Sequence, residues 1–228
     1  MASNQKKLKK INFSRTISLE ACLIKYMQAQ QIFSIGAIFA KDHDQSTTAF
    51  EDDLIKRCRD GDQRAMEQIV KRYEKQVYNT AFGIVSNRED AQDITQDVFL
   101  TIWNKIGQFK FRSKFSTWIY QIAKNQSLNL KNLKKRRQTD ATEIDDSQAW
   151  APVDEKTPET TLLVDEQQKL LLRALDNLKE KHRTILVLRE MEALSYDDIS
   201  EVLGCSMGRV KSRLHEARLA LRKAFLTI

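Results

Sequence analysis

Apolar residues recur at three- and four-residue intervals along most of the chain beyond Glu51, the spacing of helices that bury one face. Leu54, Ile55 and Cys58 begin the series. After Gly61 and Asp62, the residues Ala65, Met66, Ile69, Val70, Tyr73 and Val77 make a second stripe. A third helix follows a break at which either Ser86 or Asn87 is a suitable N-cap, and its apolar members are Ala91, Ile94, Val98, Ile102 and Ile106, with Phe99 and Trp103 beside them. Phe115, Ile119, Ile122, Leu130 and Leu133 mark a fourth. Further on, Leu162 to Leu178 repeats the helical period, and another helix opens at Lys181, His182 and Arg183 and runs through Ile185, Leu186, Leu188 and Met191. The last stretch reads as two short helices about a tight turn. Ser195 is placed as N-cap with Asp198 three residues on, Ile199, Val202 and Leu203 face inward, Gly204 supplies the turn and Ser206 offers a second cap. Val210, Leu214, Ala217 and Leu221 then form one inward stripe.

Turn formers are scarce: 6 glycines and 2 prolines in 228 residues disfavour an architecture of many hairpins. The expected fold is all-α. Both prolines, Pro152 and Pro158, fall in a segment enriched in Asp140, Glu143, Asp145, Asp146, Asp154, Glu155 and Glu159, the composition of a linker. The chain therefore divides into two small helical domains, 51–137 and 162–228, joined by an acidic flexible linker at 138–161, the second domain containing a helix-turn-helix. Residues 1–50 differ in style from the rest and are expected to be a weakly ordered extension, to which no function is assigned. Its apolar run from Ile32 to Ala40 is too short to span a bilayer. Glu20 and Lys25 interrupt the apolar core that a secretion signal requires, so a cytoplasmic protein without stable membrane insertion is expected.

Chemistry of the catalytic kind has no foothold. Cys22, Cys58 and Cys205 are odd in number and far apart, and with His43, His182 and His215 they make no metal-ligand spacing. There is no nucleophile elbow, phosphate-cradling glycine loop or zinc-protease helix motif. The expectation is a protein that is not an enzyme and carries neither cofactor nor metal. A net charge of +7 points instead to a polyanionic partner, and its distribution narrows the class.

From Phe109 to Arg137 there are nine cations and no acidic residue, and Phe109, Phe111, Phe115, Trp118 and Tyr120 interleave with them. Cations neutralise phosphates, and aromatic rings offer faces to unpaired bases at about 1–3 kcal/mol per stacked base. Asn125 and Asn129, one turn apart, add groups able to read a base edge. Part of the aromatic set belongs to the core, since Phe115 lies on the inward stripe and Trp118 is expected to be largely buried. In the preceding helix Asp90, Asp93 and Asp97 fall at offsets of three and four. They suit either solubility and the helix macrodipole or a docking stripe for a basic partner. In the helix-turn-helix the cations Arg209, Lys211, Arg213, His215, Arg218 and Arg222 project away from the apolar stripe, as a helix lying in a DNA groove requires.

Asp90 to Trp103 followed by Phe115 to Asn125 resembles region 2 of bacterial RNA polymerase sigma factors, and Leu178 to Arg189 with Val210 to Arg218 resembles region 4. The order of the two, the acidic linker and the lack of regions 1.1 and 3 resemble the extracytoplasmic-function (ECF) group. The resemblance implies that Asp90, Asp93, Gln96, Asp97 and Phe99 dock on the β′ subunit of core RNA polymerase, with β as a further contact. It implies that Lys110, Arg112, Ser113, Lys114, Trp118, Lys124, Asn125 and Asn129 recognise and open the −10 element of promoter DNA. It assigns the −35 element to Arg209, Lys211, Ser212, Arg213, His215 and Arg218. An anti-sigma factor is implied as a partner by family analogy alone. The chain departs from the family at Gln92, where Glu is common, at Arg209, where a small polar residue is usual, and in the divergent loop Lys110 to Lys114. The expected function is thus a sigma factor that directs promoter recognition, strand opening and initiation. Its main rival is a helix-turn-helix regulator that is no polymerase subunit, which has no need of an acidic docking helix beside a melting face. A nucleic-acid-processing enzyme suits the charge but lacks catalytic residues.

Overall fold

Local signals set the helix limits in the computed structural model, which describes residues 45–140, 170 and 172–227. The 1–50 extension up to residue 44, most of the acidic linker and the start of the helix expected from Leu162 lie outside these residues. Helix α1 (Gln45–Arg59) ends in three cations that complement its carbonyl end. Asp62 caps α2 (Gln63–Val85) by accepting from the amides of Arg64 and Ala65, and its second oxygen takes a 2.6 Å bond from Arg57, which ties the end of α1 to the start of α2. Those hydrogen bonds, from Arg57 first, hold the Asp62 carboxyl below its ordinary range against the opposing effect of desolvation.

The two residues between α2 and α3 have different tasks. Ser86 closes α2 in the left-handed conformation (φ 60°), and Asn87 is the N-cap of α3 (Arg88–Lys105), accepting from the Asp90 amide at 2.9 Å. A 3-10 turn (Ile106–Gln108) and a loop lead to α4 (Phe115–Asp140), which extends three residues beyond the boundary expected at Arg137. Helices α2, α3 and α4 pack on one another around Ile69, Val77, Val98, Ile102, Phe115 and Ile119, and α1 contributes Leu54, Ile55 and Cys58. Burial pushes the Cys58 thiol up to about 11, so it behaves as an inert core residue.

In the C-terminal group, α5 (Glu180–Leu186) runs into a π-helical segment (Val187–Met191), the helix expected through Met191. The helix-turn-helix follows as α6 (Tyr196–Leu203) and α7 (Met207–Thr227), with Gly204 left-handed between them (φ 60°). Ser195 accepts from the Asp198 amide at 3.1 Å and its hydroxyl meets the Asp198 carboxylate at 2.6 Å, the reciprocal cap expected from spacing. Ile199, Val202, Val210, Leu214, Ala217 and Leu221 are all buried, as their period requires. Thr48–Ile228 forms one compact unit, so the two helical groups share an interface. There α2 meets α5 and the π segment, α4 meets α6, and Leu172 packs on the N-terminal core.

Candidate functional site

The acidic face of α3 is built by helical geometry. Asp93, Gln96 and Asp97 are exposed at offsets of three and four, and Asp90, partly buried one turn earlier, is bridged to Lys134 of α4 at 2.7 Å. Phe99 does not join them. Only 8% of it is exposed, because it shares the inward side of α3 with Thr95, Val98 and Ile102, which corrects its expected place on the docking face. Leu100 takes that place: seven residues beyond Asp93 and three beyond Asp97, it falls on the acidic stripe and is 60% exposed.

The basic face is carried by the loop before α4 and by α4 itself. Lys110, Arg112 and Lys114 are exposed in the loop and Ser113 is half-buried. Asn125 and Asn129 are exposed one turn apart on α4. The aromatic residues divide sharply. Phe109, Phe115 and Tyr120 are buried, Trp118 is partly buried with its ring 5.4 Å from Phe109 and 5.7 Å from Phe115, and Phe111 alone of the five stands exposed. The Phe111 backbone is left-handed (φ 54°), uncommon for an aromatic residue and costing about 1–3 kcal/mol.

Arg59, at the end of α1, holds that conformation. Its guanidinium donates to the carbonyls of Ile106 and Phe109 and lies over the Phe111 ring, 4.8 Å from the centroid. Phe111 belongs to the expected aromatic set but not to the residues assigned to the −10 element, and Arg59 belongs to neither. Phe111 had a signal in its flanking cations Lys110 and Arg112; Arg59 had none, since it is distant in sequence and reaches the loop only through the packing of α1.

In α7 the expected cations flank the buried stripe on both sides: Lys211, His215 and Arg218 on one, Arg209 and Ser212 on the other. Arg213 is half-buried. Arg218 is already engaged, its guanidinium donating twice to Glu190 of the π segment at 2.7 and 3.0 Å.

Two residues of the basic face meet the helix-turn-helix. Lys114 bridges Asp198 at 2.9 Å and the Lys124 ammonium donates to the Val202 carbonyl at 2.8 Å, while the neighbouring Gln121 amide donates to the Glu201 carbonyl at 2.9 Å. Burial lowers the affinity of Lys124 for its proton. Asp198 responds in the other direction: burial opposes its charge, but hydrogen bonds from Ser195 and Lys114 keep its carboxyl below the usual carboxylate range. Among the described residues no group of His, Cys, Asp and Glu is arranged to hold a metal ion, and no helix is long and apolar enough to cross a membrane.

Comparison with known proteins places these faces in a family context. Residues 69–139 match Sigma-70 region 2 and residues 168–221 match Sigma-70 region 4. The chain is 35% identical over 176 residues to the RNA polymerase sigma-H factor of Pseudomonas aeruginosa, covering 75% of this chain and 91% of that protein. It is 35% identical over 172 residues to the ECF RNA polymerase sigma-E factor of Haemophilus influenzae, covering 72% and 89%. Among solved structures it resembles the sigma factor RpoE of Bartonella quintana, determined in complex with the anti-sigma factor NepR, with a TM-score of 0.59 at 23% identity over 71% of this chain and 96% of that one. That last likeness concerns the fold.

Proposed function

Since the chain belongs to the ECF sigma factors of bacterial RNA polymerase, we propose that it binds the core enzyme through α3, opens the −10 element with the loop before α4 and α4 itself, and reads the −35 element with α7. The observation that carries this reading is the separation of charge between neighbouring elements. Asp93, Gln96, Asp97 and Leu100 present an acidic edge with one apolar anchor, which fits a basic protein surface. Lys110, Arg112, Asn125 and Asn129 are exposed on a stretch of chain, 109–137, that has no acidic residue of its own, beside an exposed ring at Phe111. Taking a base out of its stack costs a few kcal/mol, which stacking on Phe111 and phosphate contacts to the lysines offset. On α7, one Arg bidentate to guanine contributes about 1–3 kcal/mol of discrimination. The factor itself acts by binding, and the polymerase supplies the chemistry. The cytoplasm is its place of work, and a protein that masks the α3 or α4 faces, of the anti-sigma kind, is its expected regulator.

A helix-turn-helix regulator acting apart from the polymerase would leave the acidic edge of α3 without a use. Run-off transcription distinguishes the two. Specific starts should appear when the chain is added to core polymerase and vanish for Asp93→Lys with Asp97→Lys, while the variant keeps its helical circular dichroism. Starts undiminished in that double variant would overturn the docking assignment.

A further inference from the structure

We infer that α6, the first helix of the helix-turn-helix, has a second function: it is an internal ligand for the −10 face, occupying in the free chain the positions that DNA phosphates take in the promoter complex. The inference deepens the reading of Lys114 and Lys124 as −10 contacts and rests on it.

The chemistry of α6 suits the role. Asp198 offers a carboxylate to Lys114 at 2.9 Å. At the other end the helix closes at Gly204, whose amide turns back to Glu201 and Ser200, so the Val202 carbonyl is left without a helical donor and takes the Lys124 ammonium at 2.8 Å. The Glu201 carbonyl takes Gln121 at 2.9 Å beside it. A helix C-terminus carries about half a negative charge, so an anionic side chain and an anionic helix end together face two cations spaced along one basic surface. These are the groups a phosphate backbone would satisfy.

Those polar contacts are not what holds α6 in place. Lys114 is half-exposed in its bridge, and such pairs contribute at most about 1 kcal/mol. The seat lies deeper, where α2 meets α5 and the π segment. Arg183 is 1% exposed and donates to the Gly83 carbonyl at 2.6 Å, to the Ser86 hydroxyl and to Asp176, so a buried guanidinium from the C-terminal group caps the end of α2. Gly83 admits this approach because it lacks a side chain: a Cβ there would stand 2.8 Å from both Val187 methyls and 3.1 Å from the Met191 sulfur. Tyr120 of α4 closes the interface on Glu192 at 3.0 Å.

The arrangement covers one functional face and leaves two open. Asp93, Asp97 and Leu100 of α3 and Arg209, Lys211 and His215 of α7 remain exposed. The free chain is therefore competent to dock on polymerase and to touch duplex DNA, while strand capture waits until α6 leaves.

The full-length chain tests this by zero-length carbodiimide cross-linking and mass spectrometry, with a Gly83→Leu variant as wedge. A Lys114 to Asp198 cross-link should form in the free wild-type chain and disappear both on addition of core polymerase and in Gly83→Leu. Absence of that cross-link in the free wild type overturns the inference. Binding of labelled oligothymidine supplies the second arm: Gly83→Leu should bind at least about tenfold more tightly than wild type, as expected when the competent state is a minor one. Equal binding, with the cross-link lost, also overturns it. Adding Lys124→Ala to the wedge variant separates the two levels. Loss of the gained affinity upholds both the internal ligand and the −10 assignment, whereas a gain that survives removal of Lys124 overturns the mimicry at that residue. If Lys124→Ala and Lys114→Ala leave promoter opening by the holoenzyme unchanged, it is the −10 reading that fails.

Discussion

Phe99 and Leu100 are adjacent, and the single step of about 100° between them along α3 separates a core residue from a surface anchor. Truncation should have opposite consequences at the two positions. Phe99→Ala removes a ring from the packed interior and should cost about 3–5 kcal/mol of stability by chemical denaturation. Leu100→Ala should leave the denaturation midpoint within about 0.5 kcal/mol of wild type, yet weaken binding to core polymerase several-fold. A Leu100→Ala chain that binds polymerase as tightly as wild type would remove this residue from the docking face. Phe111 and Arg59 show a second lesson of this scale: a strained aromatic residue is kept at the surface by a guanidinium from another helix, and neither partner has a local structural reason to be there.

Among the elements, α6 is the shortest helix of the functional set and the most dependent on its ends. Eight residues are too few to persist in water alone, so the Ser195 cap, the left-handed Gly204 and the buried Ile199 and Val202 share the task of keeping it formed. Ser195→Ala should lower stability by about 1 kcal/mol, read from thermal unfolding of the full chain, and a melting temperature unaltered by the change would contradict the cap. Helical period made most elements legible from the chain alone, since a stripe of apolar residues, a cap and a stop act within one segment. Ambiguities at the ends were local as well: Ser86 and Asn87 both suit an N-cap, and the structure divides them because Ser86 is drawn to Asp176 and Arg183. The π segment at Val187–Met191 had no such signature. Its extra width brings Val187 and Met191 against Gly83, a contact made between residues about a hundred positions apart.

For the whole molecule the α2, α4 and C-terminal contacts create an ionisable device. Burial pushes the Glu192 carboxyl up to about 8 from an ordinary 4.5, opposed by the hydrogen bond from Tyr120 of α4 and by the charge of Lys75 of α2. Burial likewise raises Tyr120, with Glu192, Tyr73 and Asp198 adding to the effect. The packed state therefore binds a proton at Glu192 that the separated state releases. Its contribution to packing is complete below about 4.5 and is lost as the pH rises through the window to about 8. The population of the packed form, followed by energy transfer between dyes on the two helical groups, should fall across that window, and Glu192→Gln should flatten the profile. An unchanged slope in Glu192→Gln would assign the proton elsewhere.

The helices, their caps and the charge of each face follow from spacing and composition, because each depends on residues within a few turns of one another, and the two sigma regions were legible only through the likeness of their motifs to a known family. Tertiary packing alone decided which aromatic residues reach solvent, that Leu100 stands where Phe99 was expected, that Arg59 braces the loop, and that α6 lies on Lys114 and Lys124, the lysines proposed to contact DNA. Those outcomes depend on which surfaces win the competition to be buried, and a linear pattern of apolar and polar positions leaves that competition undecided.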